Sequence, residues 1–223
     1  MVCEIVKRVC VVMFLSLVVA CGEVGGVVDD LLGGGVGGSG QCGGASETGS
    51  CLRIESIVPD FDGKETSNVD SKQDVCNLTE ILTTPGTVPK FEVYKDHNAK
   101  ITISNRPLTG VQVTDISDVT LEKYAVTYKV NRCPEGASCP INLRDLTGSE
   151  TIGISANGAV TLTLPFFSIA AREDYNKQGG TNVDYPSYTA TYTIIGTDLH
   201  KNPVSAVGSA EFTIGNFLRC EGA

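Results

Sequence analysis

Hydrophobic and polar residues alternate with a period of two in several segments of the 223-residue chain. The clearest segment is 120–130, where apolar side chains occupy every second position from Tyr124 to Val130 and Lys or Thr mostly fills the positions between them. Such alternation is typical of a β-strand that buries one face and exposes the other. The segment is therefore predicted to be a strand at the surface of a layered core.

The same pattern predicts an all-β fold for most of the chain. It recurs at 188–194, at 210–214 and at 160–164, where the preceding Asn157-Gly158 pair favours a hairpin turn. Shorter candidate strands are 52–58, 91–94, 100–104, 112–115 and 204–207. A short helix is expected at 168–178 and one helical turn at 77–83. These elements predict two antiparallel sheets packed as a sandwich over residues 51–223.

The first 20 residues differ from the rest. Lys7 and Arg8 precede a mainly apolar stretch, 9–20. Its length suits the core of a secretory signal peptide and falls short of the ~20 residues that a membrane-spanning helix needs. Residues 1–20 are therefore predicted to be a signal peptide that is removed on export.

A glycine-rich stretch follows the predicted signal peptide. Between Gly22 and Ser50, 12 of 29 residues are glycine. Glycine gives an unfolded chain high conformational entropy, so residues 21–50 are predicted to be a flexible tether with a root-mean-square reach of roughly 30 Å. The expected organisation is a signal peptide (1–20), a tether (21–50) and one β domain (51–223).

The junction between signal peptide and tether resembles the lipobox of bacterial lipoproteins. The residues that carry the resemblance are Val18-Val19-Ala20-Cys21-Gly22. In that family a diacylglyceryl group is attached to the cysteine, so the resemblance implies lipidation of Cys21. Gly22 in place of Asp implies the outer membrane, if the cell is Gram-negative. The alternative is an ordinary signal peptide with a coincidental cysteine.

The C-terminal part of the chain looks like the closing hairpin of bacterial immunoglobulin-like domains. The residues are Gly196-Thr197-Asp198 at the end of one strand, Lys201-Asn202 in the turn and 208–214 as the last strand. With the strand at 120–130 and the predicted anchor, the chain is similar to single-domain immunoglobulin-like lipoproteins. The chain contains no Trp, so the antibody-type core of paired Cys around a buried Trp is absent.

Six cysteines remain after Cys3 and Cys10 leave with the signal and Cys21 is lipidated. An even number in an exported chain implies disulfides, with 15 possible connectivities. The favoured pairs are Cys133–Cys139, within a turn-rich loop, Cys76–Cys220 and Cys42–Cys51. No cysteine spacing suits zinc, and no metal site is expected from the cysteines.

Charge and motifs argue against several functions. The net charge is −9, and −10 without residues 1–20, which disfavours nucleic acid and a polybasic grip on anionic lipid. His97 and His200 stand in predicted turns, where exposed histidines are expected, although a hydrolase using either is an alternative. No nucleophile motif accompanies them. No catalytic residue and no cofactor is therefore predicted.

Two loops leave alternatives open. The acidic segment 60–74 gathers oxygen donors that Ca²⁺ could use, or is a solvated connection. Aromatic residues surround Gly179-Gly180 and either cover the core or form a recognition surface for sugar or protein. They are Phe166, Phe167, Tyr175, Tyr185 and Tyr188.

Together these patterns predict a non-enzymatic, lipid-anchored protein of the outer membrane with a structural, adhesive or interaction role. Its expected partners are the membrane, through the lipid, and another envelope protein. The alternative is a periplasmic subunit that captures a ligand or assists a secretion, pilus or electron-transfer complex.

Overall fold

The computed structural model describes residues 49–107, 116–217 and 219–220. The predicted signal peptide, Cys21, Cys42, nearly all of the predicted tether and the candidate strand 112–115 lie outside these ranges. Within them, no helix combines the length and apolar character needed to cross a bilayer.

The described residues form nine strands, two α-helices and a single 3₁₀ turn. In chain order they are β1 (Ser50–Phe61), β2 (Lys64–Glu65), β3 (Asn68–Asp70), α1 (Leu78–Thr83), β4 (His97–Pro107), β5 (Val119–Arg132), β6 (Leu146–Ile154), β7 (Ala159–Phe167), α2 (Ile169–Lys177), the 3₁₀ turn (Gly180–Asn182), β8 (Ser187–Asp198) and β9 (Pro203–Gly215).

The strands form two sheets, as the alternating pattern predicts. One sheet has the order β2-β1-β4-β7 and the other the order β3-β9-β8-β5-β6. All pairings between named strands are antiparallel except that of β3 with β9, which is parallel. The prediction of an all-β chain with two sheets is confirmed, and the expected antiparallel pairing holds apart from β3.

The core lies between the two sheets and is built from the inward positions of each strand. Ile101 and Ile103 of β4 and Phe212 of β9 are among the side chains that are almost fully buried in one hydrophobic cluster. Two tyrosine hydroxyls cross between the sheets, because Tyr128 donates to the Phe166 carbonyl at 2.8 Å and Tyr192 donates to the Pro165 carbonyl at 2.6 Å. Burial raises the pKa of both hydroxyls, so they remain protonated donors.

Several elements differ from the sequence predictions. The segments 204–207 and 210–214 form one strand, β9, in which Gly208 lies against Ile54 of the opposite sheet so closely that a Cβ would approach it to 2.9 Å. Strands β2, β3 and β6 were not predicted, because β2 and β3 have only two and three residues and β6 is an edge strand with mostly exposed side chains and weak alternation. The predicted strand 91–94 is wrong, since only Phe91 makes an isolated bridge, with Val75.

The sandwich has two ends that differ in structure. At the tether pole, where the described chain enters β1, Ser50 contacts Ser117 and the 199–202 turn joins the paired strands β8 and β9. The 155–158 turn instead leads from β6 in one sheet to β7 in the other, so the hairpin predicted at Asn157-Gly158 is wrong. At the far pole lie the segments 71–96, 133–145 and 168–186 and the residues described after β9. Strand β1 has 12 residues, so roughly 35 Å separate the two poles.

Candidate functional site at the far pole

The longest described connections meet at the far pole. The segments 71–96, 133–145 and 168–186 contain 26, 13 and 19 residues, whereas the turns 155–158 and 199–202 contain four each. Loops on a rigid sheet scaffold are the usual carriers of binding function. The far pole is therefore the candidate site.

Two disulfides fasten the far pole. One joins Cys76 to Cys220 across a sequence separation of 144, and the other joins Cys133 to Cys139 across six. Both are pairs that the sequence favoured. Cys51 is fully buried at the tether pole and is disulfide-bonded, but its predicted partner, Cys42, lies outside the described residues.

Hydrogen bonds connect the separate segments of the far pole. Gln178, after α2, donates to the Asn142 carbonyl at 2.8 Å, and Asn176 donates to the Ser71 carbonyl at 2.9 Å. The hydroxyl of Tyr188 donates to the Pro140 carbonyl at 2.9 Å. Because each bond joins residues that are far apart in sequence, the segments form one continuous surface.

A buried cluster of charged residues lies beneath that surface. Arg172 and His97 are fully buried, Asp70 and Glu92 are nearly so, and Arg219 is mostly covered. The expectation that His97 is an exposed turn residue is wrong, because His97 is buried and begins β4. His200 is exposed in the 199–202 turn at the tether pole, so the two histidines lie at opposite ends of the sandwich.

The two buried acids hold the C-terminal residues in place. Asp70 accepts a hydrogen bond from the Phe217 amide at 2.8 Å and pairs with the Arg219 side chain at 2.5 Å. Glu92 accepts from the Arg219 amide at 2.8 Å and from the Asp74 amide at 3.0 Å. Glu92 therefore receives two backbone N–H groups, whereas Asp70 receives one and otherwise depends on the Arg219 charge for compensation.

Aromatic rings cover the cationic side of the cluster. The Arg172 guanidinium lies 4.2 Å from the centre of the Tyr94 ring and donates to the Lys95 carbonyl. The His97 ring stacks on Phe61 with 4.3 Å between ring centres, and the Arg219 guanidinium lies 4.4 Å from the same Phe61 ring. Neither ring nitrogen of His97 makes a hydrogen bond within the described part of the chain.

The environment shifts two pKa values in opposite directions. Burial, with the nearby Arg172 and Arg219, lowers the pKa of His97 from 6.5 to about 3. Burial outweighs the attraction of Arg219 and raises the pKa of Asp70 from 3.8 to about 6. At neutral pH, His97 is therefore uncharged and Asp70 is ionised.

The carboxylates of the acidic segment 60–74 are dispersed among cations rather than gathered on one point. Asp60 pairs with Lys100 at 3.0 Å, Asp62 pairs with Lys95, and Asp74 pairs with Lys72 at 3.4 Å. No group of three or more metal-ligating side chains occurs among residues 49–107, 116–217 and 219–220. The described geometry thus gives no support to the calcium alternative.

A cleft of about 270 Å³ opens at the far pole between the 181–185 segment and the ends of β3 and β9. Its polar lining includes Lys72, Thr181, Asp184 and Asn216. Tyr185 is 54% exposed there, and its ring packs beside Phe217 with 5.4 Å between ring centres. The other aromatic residues noted around Gly179-Gly180 are buried in the core: Phe166, Phe167, Tyr175 and Tyr188.

Local structure fixes the wall of the cleft. Helix α2 begins after Ser168, whose hydroxyl accepts from the Ala171 amide at 3.1 Å. Beyond the helix, Gly180 packs against the ring of Tyr175, where a Cβ would come within 2.4 Å. Glycine is required at this contact, and it sets the path of the chain into the cleft.

Exposed apolar side chains accumulate on the 71–96 segment. Helix α1 buries none of its residues. Large apolar side chains there are 44–76% exposed: Leu78, Leu82, Val88, Phe91 and Val93. In the segment 91–94 the expected alternation is reversed, because Glu92 is buried while its apolar neighbours face outwards.

Comparison of the chain with known protein-family models and with curated proteins gives no match in either set.

Tyr185 was predicted from the sequence as a candidate for a recognition surface, but the buried cluster was not predicted. Asp70, Glu92 and Arg172 occupy sequence positions typical of exposed residues, and their partners lie up to 149 positions away, as for Asp70 and Arg219. No local signal marked Glu92, because the alternation at 91–94 would place it on the exposed face of a strand.

Proposed function

We propose that the protein is an exported, lipid-anchored, non-enzymatic interaction module of the outer membrane that presents its far pole to an envelope partner. The observation that carries the proposal is the separation of the poles. The described chain enters at Ser50, whereas the three longest described connections, the cleft and most of the exposed large apolar side chains lie at the opposite end. Leu199, in the turn at the tether pole, and Ile195, in β8, are the exceptions among the described residues. An anchor attached before Ser50 leaves that end accessible.

The strand order supports an immunoglobulin-like assignment of the sandwich. If β1, β4, β5, β6, β7, β8 and β9 are named A, B, C, C′, E, F and G, the sheets read A-B-E and G-F-C-C′. This order resembles that of immunoglobulin-like domains, in which C′ extends the sheet that contains G, F and C. Strand D has no counterpart among the described strands, and β2 and β3 are additional edge strands. Long connections at one end of such a sandwich are the usual location of binding surfaces.

The disulfides support export. Structural disulfides persist in oxidising compartments and are rare in a reducing cytosol. The Cys76–Cys220 and Cys133–Cys139 bonds both fasten the far pole, so oxidation is part of how this end is held. Together with the predicted signal peptide, they favour a compartment beyond the inner membrane.

The anchor is tested by labelling cells with radioactive palmitate. We expect the Cys21→Ser variant to lose the label and its membrane association, because that thiol is the proposed attachment site. Cys10→Ser is the matched control, since Cys10 lies in the predicted signal peptide and its loss leaves labelling intact. A labelled Cys21→Ser variant would overturn the anchor.

The location is tested by protease treatment of intact cells. Exposed lysines such as Lys72 and Lys177 at the far pole provide trypsin sites. Digestion from outside supports presentation on the cell surface. Protection until the outer membrane is opened supports the alternative of a periplasmic ligand-capture or accessory subunit, which the small cleft beside Tyr185 favours.

A further inference from the structure

We infer that the cleft beside Tyr185 binds one ring of a neutral saccharide. This inference rests on the proposed function, because it names the class of ligand that the far pole would take. It uses the size of the cleft, its exposed aromatic ring, its balanced polar lining and the strained backbone that holds the ring.

The size of the cleft restricts the ligand. Its volume of about 270 Å³ lies below the ~300–1,000 Å³ of pockets that enclose a drug-sized molecule. A single sugar ring, free or at the end of a longer glycan, suits this space, whereas a folded partner would contact it only at the rim.

Tyr185 provides an apolar platform for such a ring. One side of its ring lies against Gly215, where a Cβ would come within 2.5 Å, and beside Phe217. These contacts hold the ring in place while 54% of the residue stays exposed. A sugar ring has apolar C–H faces as well as hydroxyl groups, so an exposed aromatic ring can pack against one of these faces.

The polar lining suits hydroxyl groups without net charge. Thr181 and Asn216 supply neutral donors and acceptors, and Asp184 supplies a carboxylate acceptor. Lys72 is the cation in the lining, and its ammonium group already lies 3.4 Å from the Asp74 carboxylate. An anionic ligand would therefore have to compete with Asp74 and face Asp184, whereas a neutral polyol meets neither obstacle.

The backbone at Tyr185 is unusual for the residue it carries. Its φ is +49°, in the left-handed region that bulky residues rarely adopt, and Pro186 follows it and restricts it further. The other non-glycine residues with positive φ among the described residues, Asp62, Asn157 and Lys201, lie in turns between strands. Strain at a ligand-facing aromatic residue is typical of functional sites.

The test measures saccharide binding to the full processed chain in a zwitterionic detergent that has no sugar headgroup. Saturation-transfer difference NMR is recorded with methyl hexosides and methyl N-acetylhexosaminides as probes. We expect transfer to the ring protons of at least one neutral glycoside. Signals from none of them would overturn the inference.

Variants locate the binding to the cleft. Tyr185→Gly removes the platform and relieves the positive φ, so we expect at least a tenfold loss of affinity with a melting temperature changed by only a few degrees. Tyr185→Phe keeps the ring and retains binding. Phe91→Ala, a residue with a similar exposure of 57% at the same pole, is the matched control and also retains binding. Binding that survives in Tyr185→Gly would contradict the inference.

This result is independent of the anchor experiment. If no glycoside binds but palmitate labelling depends on Cys21, the saccharide inference fails and the anchored module stands. If glycosides bind through Tyr185 but the label is absent, the anchor fails and the cleft stands.

Discussion

The connections between strands are held in place by different interactions at the tether pole and at the far pole of the sandwich. At the tether pole, the 199–202 turn is held by one side chain, because Asp198 accepts from the His200 and Asn202 amides, both at 2.8 Å. At the far pole, no single turn holds the chain. Disulfides, a buried charge cluster and bonds between distant segments share that role.

The far pole departs from the simplest form of a β-sandwich, in which short turns join the strands. Short turns with a side-chain acceptor satisfy their own backbone groups and need no further packing. Long connections instead need apolar burial, disulfides and hydrogen bonds between segments to offset the entropy of ordering them. The far pole achieves this and still leaves Tyr185 and the apolar residues of the 71–96 segment exposed, which is the pattern of a surface that contacts something else.

The largest predicted effect comes from opening the long disulfide. In the chain-entropy model, a loop of 144 residues contributes about 5 kcal/mol and a loop of six about 2 kcal/mol. Replacing Cys76 and Cys220 with serine should therefore lower the free energy of unfolding by more than twice as much as replacing Cys133 and Cys139. Equilibrium unfolding in urea measures both. Equal losses would show that the far pole does not depend on closing the long loop.

The next prediction concerns acid and the buried cluster. The pKa of His97 is lower in the folded protein than in the unfolded chain, so its contribution to stability is lost as pH falls below 6.5. The pKa of Asp70 is raised on folding, so its effect is opposite: acidification from about pH 6 towards 4 removes a destabilising charge. The two effects partly cancel in the wild-type protein.

Single variants should separate these opposed effects. Between pH 6.5 and 4.5, His97→Phe should become more stable relative to the wild type by about 2 kcal/mol, and Asp70→Asn less stable by about 2 kcal/mol. Thermal unfolding at a series of pH values gives the slopes. His200→Phe is the control, because His200 is exposed at the tether pole and lies outside the buried cluster. If the stability difference from the wild type changes with pH in the same direction for His97→Phe and Asp70→Asn, the opposite pKa shifts assigned to His97 and Asp70 are wrong.

Most of the long strands were predictable because their alternation is local, whereas the buried charge cluster at the far pole was not. From Tyr188 to Ile194 buried positions alternate with partly exposed ones, so β8 buries the face that the sequence alternation predicts. Glu92 shows the opposite case, because its burial depends on the amides of Asp74 and Arg219, and the second lies 127 positions away. No periodicity encodes such a contact. The Tyr185 cleft was predictable only in part. Tyr185 itself was a candidate from the sequence, but the residues near β3 and β9 that line the cleft with it were not.

The smallest predicted effect compares strain at the two poles. Lys201, at the tether pole, has a φ of +69° and an exposed side chain, so Lys201→Gly should relieve backbone strain without losing contacts. We expect a gain of about 0.5–1 kcal/mol, measured by urea unfolding. Tyr185→Gly relieves the same kind of strain but loses the ring contacts with Gly215 and Phe217, so its stability should change less. If Tyr185→Gly gains as much as Lys201→Gly, those contacts contribute nothing to the fold, and the strained tyrosine is held in place for its exposed face alone.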